Sequence, residues 1–177
     1  TFASSYAYSY LPYMSLKELN VSYNGNMNFS PYNFYYLESV DFSYTATSSL
    51  SASSLSAVKS INIAGTKISG TIDVSSLKKL EVLNISETGI SEIKISGSVV
   101  SGTLKSIIAT GSKLAAVNVG EGNELPEGII TGAPGEVIVK NFTDPTGNIV
   151  TKQWNYISAF TPELTEFTFN YTKTSKG

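Results

Sequence analysis

With 177 residues the chain is long enough for one ordinary core or a short solenoid, and its 41% hydrophobic and 15% charged residues suit a folded domain rather than a disordered one. The formal net charge is −2 and all twelve basic residues are lysines scattered along the chain, which excludes the arginine forks and basic stripes that hold a phosphate backbone. Histidine, cysteine and arginine are absent, which removes the near-neutral general base, the thiol nucleophile, the soft metal ligands and any disulfide framework.

In chain order, Tyr8 and Tyr10 come first, 21 residues ahead of Phe29 and Pro31, where the second half of a preceding coil is expected. A pattern of the form L-x-x-L-x-L-x-x-N then begins and occurs five times. It runs as Leu16, Leu19, Val21, Asn24; then Leu37, Val40, Phe42, Thr45; then Val58, Ile61, Ile63, Thr66; then Leu80, Leu83, Ile85, Thr88; and last Leu104, Ile107, Ala109, Ser112. The starts are 21, 21, 22 and 24 residues apart. Alternation of apolar residues points two side chains inward on a short strand, and the ninth residue closes a turn by bonding backbone that the turn leaves unpaired. One such coil cannot bury its own apolar edges, so the five are expected to stack.

A second apolar set follows the first in the later coils: Ile72 and Val74; Ile90, Ile93 and Ile95; Leu114, Val117 and Val119. The return side of each coil is therefore expected to be extended, with a short helix or helical turn over each of residues 48–58 and 75–80. After Leu125 the Gly- and Pro-rich GIITGAPGE interrupts the period. Strands are expected over 136–142 and 148–157 around the turn Asp144-Pro145-Thr146-Gly147, and a third over 164–171, with Trp154 and Phe160 as their core. This divides the chain into a solenoid over residues 1–125 and a C-terminal β cap or small β module over 126–177.

The segments LKELNVSYN, LEVLNISETGISEIKIS and LKSIIATGSKLAAVNV resemble the short leucine-rich repeats of internalin-like and surface-antigen proteins of bacteria. The resemblance covers roughly residues 1–125 and implies a mostly β, right-handed leucine-rich-repeat solenoid of about five coils with a small β-hairpin-rich cap. It implies a secreted or cell-surface location. It says little about the partner, because function on such scaffolds resides in grafted surface sites.

The residues between the inward ones face the surface. The centre row of the strands runs Asn20, Asp41, Asn62, Asn84, Ile108. It is a candidate polar strip for a protein or glycan ligand, or a ladder of side chains bonded to one another and to the turns. Nine of eleven tyrosines precede residue 45: Tyr6, Tyr8, Tyr10, Tyr13, Tyr23, Tyr32, Tyr35, Tyr36 and Tyr44. Tyr23 and Tyr44 share the eighth position of successive coils and are expected to stack at one rim. Tyr23, Tyr44, Tyr35, Tyr36, Asn20, Asp41 and Asn62 are the candidate ligand-binding residues, since tyrosine brings apolar area and a hydroxyl with little rotamer entropy. The competing reading makes these rings a cap on the open end of the solenoid.

Carboxylates are the remaining conventional catalytic groups, and Glu18, Glu38, Asp41 and Asp73 are the candidates; a glycosidase would need two of them across a cleft. The expectation is instead a non-catalytic adhesion or recognition module, without cofactor or metal, whose partner is a host or cell-surface protein or glycan and not nucleic acid. The alternatives are a structural spacer in a longer surface protein and a carbohydrate-binding or hydrolytic module. No apolar run of about 18 residues is present, so no membrane insertion of this segment is expected.

Overall fold

A computed structural model describes residues 15–28, 34–143 and 146–150. Expectations for Tyr6, Tyr8, Tyr10, Tyr13, Tyr32, Trp154, Phe160 and the strand over 164–171 lie outside the described residues.

The chain forms a parallel β-solenoid of about five coils with little helix. One sheet is built from β1 (Glu18–Asn20), β2 (Ser39–Asp41), β3 (Ser60–Asn62), β5 (Val82–Asn84), β7 (Ser106–Ile108) and β9 (Ile130–Thr131), in that order. The second contains β4 (Ser69–Asp73), β6 (Gly89–Lys94), β8 (Ala116–Asn118) and β10 (Ile138–Lys140). Every pairing in both sheets is parallel, as it must be when each strand is reached by a full turn of the coil.

The repeat read from the sequence places these strands. In each coil the middle residue of the first strand points inward, and Leu19, Val40, Ile61, Leu83, Ile107 and Ile130 stand in register. Val40, Ile61, Leu83 and Ile107 are buried, as are the residues two positions on, Phe42, Ile63, Ile85 and Ala109. The return strands supply the opposing wall through Ile72, Ile93 and Val117, which are likewise in register and buried. The first coil contributes only half-buried Leu16, Leu19, Val21 and Met27, as the first described layer of a stack should.

The turns after the first strands close as expected. Thr45, Thr66 and Thr88 are buried, and their Oγ1 atoms donate to the carbonyls of Phe42, Ile63 and Ile85 at 2.7, 2.7 and 2.6 Å. Asn24, at the same position in the first coil, donates through Nδ2 to the Val21 carbonyl at 2.8 Å. Threonine serves here because its hydroxyl bonds a carbonyl of its own turn, so the buried side chain carries no unpaired polar atom.

Of the helical turns expected between coils, the first contains a 3-10 turn at Ala52–Ser54, and residues 75–80 hold hydrogen-bonded turns instead of a helix. A short helix not anticipated, α1 (Gly97–Gly102), lies between β6 and β7. Glycine at both of its ends disfavours helix, yet it buries Val99 and Val100, and the Ser96 carbonyl accepts from the amides of both, at 2.9 and 3.1 Å.

Beyond residue 125 both ladders continue. Strand β9 pairs with β7 and β10 with β8, while Leu125, Ile130, Ala133, Val137 and Val139 pack against the core. The run expected as one strand over 136–142 is split: Ile138–Lys140 joins the second sheet, and β11 (Phe142–Thr143) forms an antiparallel hairpin with β12 (Ile149–Val150). Strands of two and three residues carry too little periodicity to stand out among so many glycines and prolines.

Candidate recognition rim

The first sheet presents three rows of side chains. The outermost precedes the first five strands and alternates in sign: Lys17, Glu38, Lys59, Glu81, Lys105. Glu38 is bonded on both sides, to Lys17 at 2.5 Å and to Lys59 at 2.7 Å, and Lys105 reaches Glu81 at 2.5 Å. The hydrogen bonds from Lys17 and Lys59 hold the Glu38 carboxyl at about 2, down from 4.5. A group depressed in this way stabilises the fold above its unfolded value, and that contribution disappears as pH falls from 4.5 towards 2. The Lys17 side chain is 61% exposed and that of Glu38 33%, so screening by solvent and salt keeps the effect small. Glu38→Gln is therefore expected to lower Tm modestly at neutral pH and low salt. Melting curves of the two proteins should converge by about pH 2; a difference that persisted there would assign the effect to packing.

The centre row is the polar strip. Asn20, Asp41, Asn62, Asn84 and Ile108 are in register, so the structure brings all three predicted members, Asn20, Asp41 and Asn62, side by side. Each polar member folds one oxygen back onto the turn that follows. Oδ1 of Asn20, Asp41 and Asn84 accepts both the amide and the hydroxyl of Ser22, Ser43 and Ser86, at 2.6 to 3.0 Å. Oδ1 of Asn62 accepts the Ala64 amide at 3.2 Å, and its Nδ2 donates to Asp41 Oδ2 at 3.1 Å. All four polar members are thus tied to the turns, and Asp41 and Asn62 also to each other. Among the described residues, the Nδ2 atoms of Asn20 and Asn84 remain as its uncommitted donors.

The third row follows the strands, and its backbone is left-handed. Tyr23, Tyr44, Gly65, Glu87 and Gly111 occupy it with φ of 58°, 55°, 64°, 55° and 68°. Glycine adopts this conformation freely, whereas a side chain there costs about 1–2 kcal/mol. Two coils nonetheless place tyrosine in it. The rings stack with centroids 4.8 Å apart and planes 14° from parallel, and they are 77% and 37% exposed for Tyr23 and Tyr44.

Gly65 makes room for the second ring. A Cβ at Gly65 would stand 2.5 Å from Tyr44 Cδ1, so the ring lies directly across the glycine backbone. Beyond Gly65, the Tyr44 hydroxyl donates to Glu87 Oε2 at 3.4 Å, a long bond, and the Glu87 charge raises the Tyr44 phenol above its ordinary 10.0. Gly65→Ala is expected to cost about 1–2 kcal/mol in the left-handed backbone and to push Tyr44 out of the stack. The measurements are urea unfolding and near-ultraviolet circular dichroism of the tyrosines. Gly25→Ala, where a Cβ meets nothing within 4 Å, is the neutral control.

Tyr35 and Tyr36, 47% and 56% exposed, lie in the turn before β2, at the opposite end of that strand from Tyr44. The predicted tyrosines thus form a stacked pair and a separate pair flanking one strand. Comparison with known protein families, curated proteins and solved structures gives no match to this chain. The rim must be judged on its geometry.

Among the carboxylates weighed for catalysis, Glu38 is held by two lysines and Asp41 by Ser43 and Asn62, while Asp73 stands on the other sheet. The alternating charge row and the part played by Glu87 were missed in the sequence. The charges carried a usable signal, since opposite signs recur one residue ahead of the first five strands of that sheet at the repeat period. Glu87 carried none until the left-handed column was known. Among the described residues no helix is long and apolar enough to cross a membrane.

Proposed function

We propose that this chain is a non-catalytic recognition module of a secreted or cell-surface protein, a right-handed leucine-rich-repeat solenoid of the bacterial surface type that adheres to a protein or glycan through its tyrosine rim. The observation that carries the reading is the Tyr23–Tyr44 stack in left-handed backbone. Unfavourable conformations at well-exposed side chains are poorly explained by folding and concentrate at functional surfaces. The exposed Tyr23 ring, backed by Tyr44, suits the C–H groups of a sugar ring or an aliphatic or cationic protein side chain. Beside it the Nδ2 of Asn20 offers a donor, and the bonded Asp41–Asn62 pair continues the polar strip.

The spacer reading draws support from the centre row, whose atoms are partly used within the fold. An array of extracellular proteins and glycans, probed with the wild type and with a Tyr23→Gly/Tyr44→Gly variant, separates the two. A ligand lost in the folded variant supports the rim. Absence of any ligand favours the spacer, and a ligand retained by the variant moves the site elsewhere on the surface.

A further inference from the structure

A second site lies on the other sheet. Asp73, Lys94 and Asn118 are the last residues of β4, β6 and β8 and stand side by side in register. The turn carrying Ser75 and Lys78 flanks them on one side, and the loop through Gly120 and Asn123 on the other. Together these segments border a cleft of about 480 Å³, within the range of about 300–1,000 Å³ that small ligands occupy.

The loop side of the cleft is braced. The Asn123 amide lies over Gly97, where a Cβ would collide with it, and its Nδ2 donates to the Glu121 carbonyl at 3.0 Å. Asn141 Nδ2 donates to the Asn123 carbonyl at 2.9 Å, tying the loop to the next coil. The cleft's apolar residues, Ile95 and Val119, are buried and offer little surface to a ligand.

The polar groups differ in what they have left to give. The Lys94 ammonium makes no hydrogen bond or close ion pair among the described residues, and its charge acts on Asp73 beside it. Lys78 spends one donor on the Ser75 carbonyl at 2.8 Å and keeps two. Lys140, next in the row, is already committed to Glu92 at 2.7 Å. Asn118 Oδ1 accepts the Gly120 amide at 3.1 Å, which leaves its Nδ2 as a donor. Asp73 Oδ1 takes the Ser75 amide and hydroxyl, which leaves Oδ2 as an acceptor.

Two ammonium groups against one carboxylate leave a single net positive charge in a cleft whose lining is about half polar. We infer that it binds a monoanionic polyhydroxylated carboxylate, that is, an acidic sugar. The ligand carboxylate meets Lys94 and Lys78, and its hydroxyls meet Asn118 Nδ2 and Asp73 Oδ2. A neutral sugar leaves Lys94 unmatched, and a phosphate dianion brings surplus negative charge beside Asp73. The inference is independent of the tyrosine rim.

The test is a titration of the full chain, ¹⁵N-labelled, with glucuronate, glucose and inorganic phosphate in parallel. The expected result is a saturating shift of the Lys94, Asn118, Gly120 and Asn123 amides with glucuronate at millimolar concentration. Glucose and phosphate should bind at least roughly tenfold more weakly. Lys94→Gln, an exposed change that leaves the rest of the spectrum in place, should raise the glucuronate Kd by roughly tenfold, and added salt should weaken the wild type. Tyr23→Gly/Tyr44→Gly should bind glucuronate as the wild type does. The inference is overturned by any of three results: no shift at tens of millimolar glucuronate, an equal or stronger response to glucose or phosphate, or a glucuronate Kd unmoved by Lys94→Gln.

Discussion

Leu83→Ala is expected to destabilise the protein by about 2–5 kcal/mol, the range for emptying a fully buried leucine site. Leu83 is fully buried and lies between Ile61 and Ile107 in the ladder, so the vacancy opens on two coil interfaces at once. In a solenoid stability is close to a sum over coils and their contacts. Weakening the middle therefore threatens the whole stack more than weakening an end. Urea unfolding should show a lower midpoint and, if the stack still unfolds as one unit, an unchanged slope. The same truncation in the half-buried first coil, Leu19→Ala, should cost clearly less. Equal losses at both positions would contradict a core centred on the middle coils.

Tyr23→Gly/Tyr44→Gly is expected to leave stability within about 1 kcal/mol of the wild type while weakening the ligand by roughly 30-fold or more, as loss of an interface hot spot does. Relief of two left-handed side chains returns about 1–2 kcal/mol each. Loss of the stack removes about 0.5–1.5 kcal/mol, and the added freedom of two glycines in the unfolded chain removes about 0.4–1 kcal/mol at each position. These terms nearly cancel. Rings that served chiefly to hold the end of the solenoid together would give the opposite pattern, a variant that melts early. Thermal melts of the purified variant decide this before any ligand is identified.

The stacked strands and their turns were legible because burial imposes its period on the chain. Ile61, Leu83 and Ile107 had to recur at coil spacing to meet one another, and Thr45, Thr66 and Thr88 had to follow at a constant offset to satisfy the turn carbonyls. The register of Asn20, Asp41 and Asn62 came with the strands that carry them. The exposed features were harder to read, since their meaning depends on backbone conformation that the side chain does not announce. Tyrosine at positions 23 and 44 marks a shared rim, but only the positive φ shows that they are held there against preference. The sheet continuations at β9 and β10 were hidden for the opposite reason: two or three residues suffice to extend a ladder whose neighbours are already in place.

The alternating row of Lys17, Glu38, Lys59, Glu81 and Lys105 has a consequence for how this chain changes length. Removing one coil, such as residues 59–80, would set Glu38 against Glu81, whereas removing residues 59–104 would set it against Lys105. Each exposed contact is worth little, yet the preference always has the same direction. Duplication and loss are favoured in pairs of coils, and a strand that slips by one coil during folding meets its own sign. The solenoid carries a parity along its edge.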